Sequence, residues 1–136
     1  MARIERFEDI EAWKKGRQLR RAICHCSRLG AFGKDFALRD QIRRTLVSIT
    51  SNIAEGFERG GNKEFIQFLA NAKGSCGESR DQLYAALDEQ YISADEFKSL
   101  CGQALEISRM ISGLMRYLKQ SEMRGAKFKP DEPEKL

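Results

Sequence analysis

The polar side chains with the most regular spacing lie within residues 41–59 and 71–82. If both segments are helical, successive residues turn by about 100° and the polar side chains form one strip on each helix. These strips contain Gln41, Arg44, Ser48, Asn52, Glu55 and Arg59 in the first segment, and Asn71, Ser75, Glu78 and Gln82 in the second. Such side chains could line an active site between two helices, or they could satisfy one another in a structural hydrogen-bonded network.

The remaining sequence favours the structural interpretation. The chain has a single histidine, no nucleophile and base at a recognisable spacing, no glycine loop for phosphate and no Glu-x-x-His pair. We therefore predict a protein that is not an enzyme, with no catalytic residue and no cofactor. The predicted structural polar network consists of Arg44, Ser48, Asn52, Glu55, Ser75 and Glu78.

The run Cys24-His25-Cys26 contains three side chains that can bind metal ions. On a helix, adjacent side chains point about 100° apart, so these three cannot chelate one ion locally. The sequence therefore predicts no metal site.

Positive charge is concentrated in one part of the chain. Residues 14–44 carry ten basic and two acidic side chains, a net charge of +8, whereas the whole chain has +4. A basic patch of this kind favours a polyanionic partner, although it is also compatible with a solvated helix surface. The candidate nucleic-acid-binding residues are Lys14, Arg17, Arg21 and Arg28 on the first predicted helix, and Arg39 and Arg43 on the second.

Four long helices are predicted to position these side chains. They span about Glu8–Leu29, about Asp35–Arg59 with Asp35 as the N-cap, about Lys63–Glu89, and a fourth helix that begins at the Ser93–Glu96 capping box. Short connections favour antiparallel neighbours, so the predicted fold is all-α, an up-down-up-down four-helix bundle. The bundle is predicted to occupy residues 1–119, followed by a flexible polar tail over residues 120–136.

Some of the surface predicts contact with another copy of the chain. The second helix has an apolar core face and also a semi-apolar surface with Val47, Thr50 and Ala54. The third helix has a centre of small residues between Ala72 and Ser79, which would allow another helix to approach closely. We therefore predict a homo-oligomer.

Composition restricts where the protein works. Hydrophobic residues make up 41% and charged residues 32%, and the apolar runs are too short and too often broken by charge to cross a membrane. The first residues are charged, unlike a secretory signal. The four cysteines lack the spacing of a disulfide scaffold. We expect reduced thiols in a cytoplasmic protein that does not bind membranes.

Several of these segments together resemble the bacterial family named after the 23S rRNA intervening-sequence protein. The resemblance covers about residues 7–118. It rests on Phe7-Glu8-Asp9 with Trp13, Leu38 with Gln41-Ile42-Arg43-Arg44, Ser48-Ile49, Ser51-Asn52-Ile53-Ala54-Glu55-Gly56, Glu64-Phe65, and Gly74-Ser75 with Glu78. The chain departs from many relatives at Thr50, where they have proline, so its second helix should be straighter.

The resemblance implies a four-helix bundle that assembles into a homopentamer. It also implies similarity to the accessory protein of diversity-generating retroelements, which binds nucleic acid and a reverse transcriptase. It implies no agreed biochemical activity. The leading hypothesis is a non-catalytic oligomer that binds RNA or DNA through the basic face of the first two helices. The alternative is a protein–protein adaptor or assembly factor, for example for a reverse transcriptase, without direct nucleic-acid binding.

Overall fold

The computed structural model describes residues 4–128, with side chains described as far as Ser121. Within this range the protein is entirely helical and contains no strand, which confirms the all-α prediction. A 3-10 helix precedes five α-helices. They are the 3-10 helix Phe7–Asp9 and the α-helices α1 Glu11–Cys26, α2 Gly30–Lys34, α3 Phe36–Glu58, α4 Asn62–Asp88 and α5 Ala94–Phe128.

The first helix is shorter than predicted at both ends. The chain enters α1 through the 3-10 helix and an extended Ile10, so the helix begins at Glu11 rather than Glu8. At its other end α1 stops at Cys26, and Gly30 follows with a φ of +52°, a left-handed conformation that interrupts the helix.

The connection between the first two predicted helices contains a short helix, α2. It was not predicted, because its five residues include two glycines, which are typical of a loop. Phe32 on α2 is buried and stacks on Tyr91 with 5.3 Å between the ring centroids. Tyr91 also donates a hydrogen bond from Oη to Asp35 Oδ2 over 2.8 Å. These contacts fasten the segment between α1 and α3 to the turn between α4 and α5.

The other helix ends follow the predicted signals closely. Asp35 accepts a hydrogen bond from the backbone N–H of Leu38 and caps α3. Gly60, with a φ of +86°, follows the end of α3. Ser93 and Glu96 exchange the two hydrogen bonds of a capping box at the start of α5. Local signals therefore predicted these boundaries to within a few residues.

The core is formed where the predicted apolar faces meet. Within the described residues, α3 packs on α4, α4 packs on α5, and α1 packs on both α3 and α5. The buried residues on the three predicted faces are Ala12, Gly16, Leu19 and Ile23 of α1, Ile42, Thr45, Leu46, Ile49 and Ile53 of α3, and Phe65, Leu69, Ala72, Cys76, Ser79, Leu83 and Ala86 of α4. Helical spacing also assigned Cys26, Leu38 and Gln90 to these faces, but Cys26 and Leu38 are only half-buried and Gln90 is exposed beyond the end of α4. The other positions are confirmed, and the arrangement is a helical bundle.

Thr50 does not lie on the outer surface that helical spacing predicts for it together with Val47. It is only 4% exposed, and its Oγ1 accepts a hydrogen bond from Arg20 Nη1 over 2.6 Å. Gly16 of α1 leaves space for Thr50 because glycine has no side chain. A Cβ added at Gly16 would lie 3.1 Å from the Thr50 methyl group. Helix α1 covers Thr50, whereas Val47 is half exposed.

Helix α5 continues to Phe128, beyond the position where the bundle was predicted to end. The division into a bundle over residues 1–119 and a flexible tail over 120–136 stays a prediction, and residues 129–136 lie outside the described part of the chain. None of the helices among the described residues is long and apolar enough to span a membrane.

Candidate nucleic-acid interface

Helix α1 presents its basic side chains to solvent. Lys14, Arg17 and Arg21 are exposed on the helix, and Arg28 is exposed two residues beyond the helix end. Sixteen residues give α1 a length of about 24 Å. Because the opposite face of α1 is buried in the core, the amphipathic pattern alone determines that these cations point outward.

The cations of α1 differ in how far they are already neutralised. Lys14 Nζ pairs with Glu11 Oε2 at 3.2 Å, and both side chains are at least half exposed. Among the residues that the structure describes, no acidic side chain forms an ion pair with Arg17, Arg21 or Arg28. These three arginines therefore supply most of the uncompensated charge on this face.

Part of this face is concave rather than flat. The surface around the C-terminal half of α1 forms an open concavity that brings three arginines and the only histidine of the chain together. It is lined by Gln18, Arg20, Arg21, Ala22, Cys24, His25 and Arg28. Arg20 and His25 are not among the predicted nucleic-acid-binding residues, because at helical spacing Arg20 falls beside the stripe of basic residues on α1 and His25 is neutral in a formal charge count.

The two basic residues predicted from the second helix have other partners. Arg39 Nε pairs with Asp40 at 3.0 Å, its Nη1 donates to the Gly33 carbonyl at 3.1 Å, and its guanidinium lies 4.7 Å from the centre of the Phe36 ring. Arg43 Nε donates to Ser27 Oγ at 3.0 Å. Both side chains stabilise the connection between α1 and α3. Asp40 offsets the charge of Arg39, whereas the Ser27 hydroxyl holds Arg43 in place without neutralising it.

Three members of the predicted polar network are joined in the structure. Ser48 Oγ and Ser75 Oγ lie 2.7 Å apart and link α3 to α4. Asn52 Nδ2 donates to the Ser48 carbonyl at 2.8 Å and to Ser48 Oγ at 3.2 Å. This chain of hydrogen bonds bridges the two helices that carry the polar strips.

The other three members are exposed in the isolated chain. Glu55 Oε2 pairs with Arg59 Nη2 at 2.9 Å, one turn away on the same helix. Arg44 and Glu78 form no hydrogen bond or ion pair with any described residue. By contrast, Gln82 is only 4% exposed, and both atoms of its side-chain amide lack a partner among these residues. The network within one chain is thus smaller than predicted.

These groups offer no activated nucleophile. The neighbours of Ser48 are a hydroxyl and an amide, and neither can take up its proton at neutral pH. Burial raises the pKa of the Cys76 thiol to about 11, so it stays protonated. In the described part of the chain, no three His, Cys, Asp or Glu side chains come together in a way that could hold a metal ion.

The polar bridge predicts a difference between two neighbouring substitutions. We expect Asn52→Ala to lower the free energy of unfolding by about 1 kcal/mol, because it removes two hydrogen bonds at a part-buried position. Glu55→Ala should cost less than about 0.5 kcal/mol, since it breaks only an exposed ion pair. Urea unfolding followed by circular dichroism measures both values. Equal losses in the two variants would contradict this assignment.

The sequence profile of the family described as 23S rRNA-intervening sequence protein matches residues 8–113. A solved structure of a protein of unknown function from the S23 ribosomal protein family of Bacteroides thetaiotaomicron superposes with a TM-score of 0.71 at 23% identity. The similarity covers 77% of this chain and 95% of that one, and it concerns the fold alone. No curated protein matches the chain significantly.

Proposed function

Because the chain belongs to the 23S rRNA-intervening sequence protein family, we propose that it is a non-catalytic, oligomeric helical-bundle protein that binds RNA or DNA through the basic face of α1. The observation that carries the proposal is the exposure of Arg17, Arg21 and Arg28 without an acidic partner among the described residues. Phosphates of a nucleic acid would supply the missing negative charge. Such contacts read the backbone rather than the bases, so sequence preference should be weak.

We also propose that the four long helices α1, α3, α4 and α5 run up-down-up-down. Ser48 on α3 meets Ser75 on α4, and the later residue Gly56 lies beside the earlier residue Phe68. Moving forward along α3 therefore corresponds to moving backward along α4, which supports an antiparallel pair. The short connection between α4 and α5 supports an antiparallel arrangement of these two helices as well.

Oligomerisation is the second part of the proposal. The outer surface of α3 exposes Val47 by 50% and Phe36 by 62%. On α4, a Cβ added at Gly74 or Gly77 would meet nothing within 4 Å, although glycine inside a helix costs about 1 kcal/mol relative to alanine. A second copy that packs closely on these positions would account for both features. The number of five subunits comes from the family resemblance.

An assembly multiplies weak phosphate contacts. If each copy presents one basic α1 surface, a nucleic acid that touches several copies gains affinity through effective concentration without any additional type of contact. We place this activity in the cytoplasm, in keeping with thiols that are all free.

A protein partner is the alternative function. The exposed Phe36 and Val47 support it. They are eleven residues apart on α3, which places them on the same side of the helix and about 16 Å apart along its axis, and exposed apolar side chains on one surface are typical of interaction sites. In this alternative the protein is an adaptor or assembly factor, for example for a reverse transcriptase, and the basic face of α1 meets an acidic protein surface.

Charge reversal on α1 tests the proposed function. We expect Arg17→Glu with Arg21→Glu to weaken binding of a fluorescein-labelled single-stranded oligonucleotide by about tenfold or more, measured by anisotropy at low salt. Two lost phosphate contacts should also reduce the slope of log K against log salt by roughly 1.4. The effect should be similar for oligonucleotides of different sequence, because the contacts are with phosphates.

The matched control is Lys98→Glu with Arg109→Glu, two exposed cations of α5 whose reversal changes the net charge equally. This control should lose much less affinity than the α1 variant. Equal losses would mean that overall charge, not the α1 face, governs binding. Absence of binding by the wild-type oligomer at high micromolar concentration would refute nucleic-acid binding and favour the adaptor.

A further inference from the structure

The concavity at the C-terminal half of α1 has the composition of a phosphate site. Arg21 and His25 are four residues apart on the helix, which places their Cβ atoms about 5–6 Å from each other. The backbone N–H of Arg28 donates to the His25 carbonyl at 3.2 Å, so Arg28 follows immediately on the same turn. All three side chains are exposed and line the same concavity.

The surroundings of His25 contain much more positive than negative charge. Arg20, Arg21 and Arg28 line the concavity with it, together with Cys24 and Gln18. In the described part of the chain, the lining comes only from α1 and Arg28. At this end, burial and secondarily the negative charge of Glu96 on α5 raise the pKa of the Cys26 thiol, at the next position along the chain.

Like charges at this spacing repel one another, and a bound anion relieves the repulsion. Arg20 is anchored by its 2.6 Å hydrogen bond to Thr50, so one of the cations is already held in place. An arginine guanidinium donates two parallel hydrogen bonds to phosphate oxygens, and a protonated imidazole adds a further charged donor. A neutral imidazole contributes no charge to the same contact.

We infer that this concavity is the subsite where the basic face holds a phosphate group of the nucleic acid, bound by Arg21 and Arg28 and, in its protonated form, by His25. The inference rests on the proposed function and adds a regulation to it. Binding strengthens as the pH falls through the range in which an imidazole takes up a proton. Phosphodiesters keep their single negative charge throughout this range, so the change belongs to the protein.

The chain has one histidine, so the pH dependence has one principal source. Wild-type protein should bind a labelled single-stranded oligonucleotide about three- to tenfold more tightly at pH 5.5 than at pH 8.0, measured by anisotropy at constant ionic strength. His25→Gln should show the weak affinity at both pH values. His25→Lys should show the strong affinity at both, because lysine stays charged throughout.

A second measurement reports on the subsite without nucleic acid. Sulfate, whose charge is constant over this range, should shift the ring resonances of His25 in an NMR titration at pH 5.5, and Arg21→Gln with Arg28→Gln should abolish the shift. The matched control Lys98→Gln should leave it unchanged. Since His25 is the only histidine, its resonances need no further assignment.

The outcomes separate the inference from the proposed function. Binding that depends on Arg17 and Arg21 but not on pH, or a pH response that persists in His25→Gln, overturns the inference and leaves nucleic-acid binding in place. If the wild-type protein binds the oligonucleotide at neither pH, both the proposed function and the inferred phosphate subsite are overturned. Absence of a sulfate-dependent shift at His25 overturns the anion subsite itself.

Discussion

Val47→Glu should convert the proposed assembly into single chains. Light scattering of the wild-type protein should give about five times the 15.5 kDa mass of one chain, and the variant should give one chain mass. Val47 is half exposed and lies on the outer surface of α3, so a copy packed there would have to bury the new carboxylate. Removing a carboxylate from water costs free energy even when basic side chains lie nearby, so the new charge should prevent a second copy from packing closely there.

The single chain should remain folded in this variant. Residue 47 lies four and three positions after Arg43 and Arg44 on α3, so a glutamate there has favourable neighbours on its own helix. The control is Leu105→Glu, which places the same charge at an exposed apolar position of α5 and should keep the oligomer. A monomeric wild-type protein, or loss of the oligomer only in Leu105→Glu, would show that α3 is not the interface.

Gly56→Ala should destabilise the protein, although alanine is the better helix former. A Cβ at this position would lie 2.6 Å from Phe68 Cβ and 3.0 Å from a ring carbon of Phe65. Phe68 Cβ is attached directly to the backbone of α4, so the two helices would have to separate. We expect a loss of about 1–3 kcal/mol from overpacking, after the gain in helix propensity is included.

Gly102→Ala on α5 is the matched control for this close approach. Its new Cβ would meet nothing within 4 Å, so the variant should gain up to about 1 kcal/mol. Urea denaturation gives both free energies of unfolding. If Gly56→Ala were stabilised as much as Gly102→Ala, α3 and α4 would have to be farther apart at this point than the 2.6 Å distance from the added Cβ to Phe68 Cβ indicates.

The contrast between α2 and α3 shows where sequence reasoning succeeds. Helix α3 has 23 residues with a regular apolar period, an Asp35 cap and a glycine after its end, so the local signals agree. Helix α2 has five residues with two glycines, and its stability comes from the burial of Phe32 against Tyr91. That ring lies 59 positions farther along the chain, and no local pattern predicts such a contact.

The candidate interface divides in the same way. Amphipathicity alone indicates that Arg17 and Arg21 face solvent, because the opposite side of α1 is apolar. Charge counting also selected Arg39 and Arg43, but the tertiary structure gives them Asp40, Gly33 and Ser27 as partners. A count of charges contains no information about which ones are already neutralised or hydrogen-bonded.

The sequence by itself determined the all-α class, the core faces of the long helices and the basic character of α1. These properties follow from residue types at helical spacing, which depend only on nearby positions. Only the tertiary structure decided that Thr50 lies under α1, that Ser48 joins Ser75, and that Arg20 and His25 share a concavity with Arg28. The positions of Thr50 and of the Ser48–Ser75 pair depend on how two helices pack against each other. The concavity depends on where α1 ends, and residues beyond the helix determine that end.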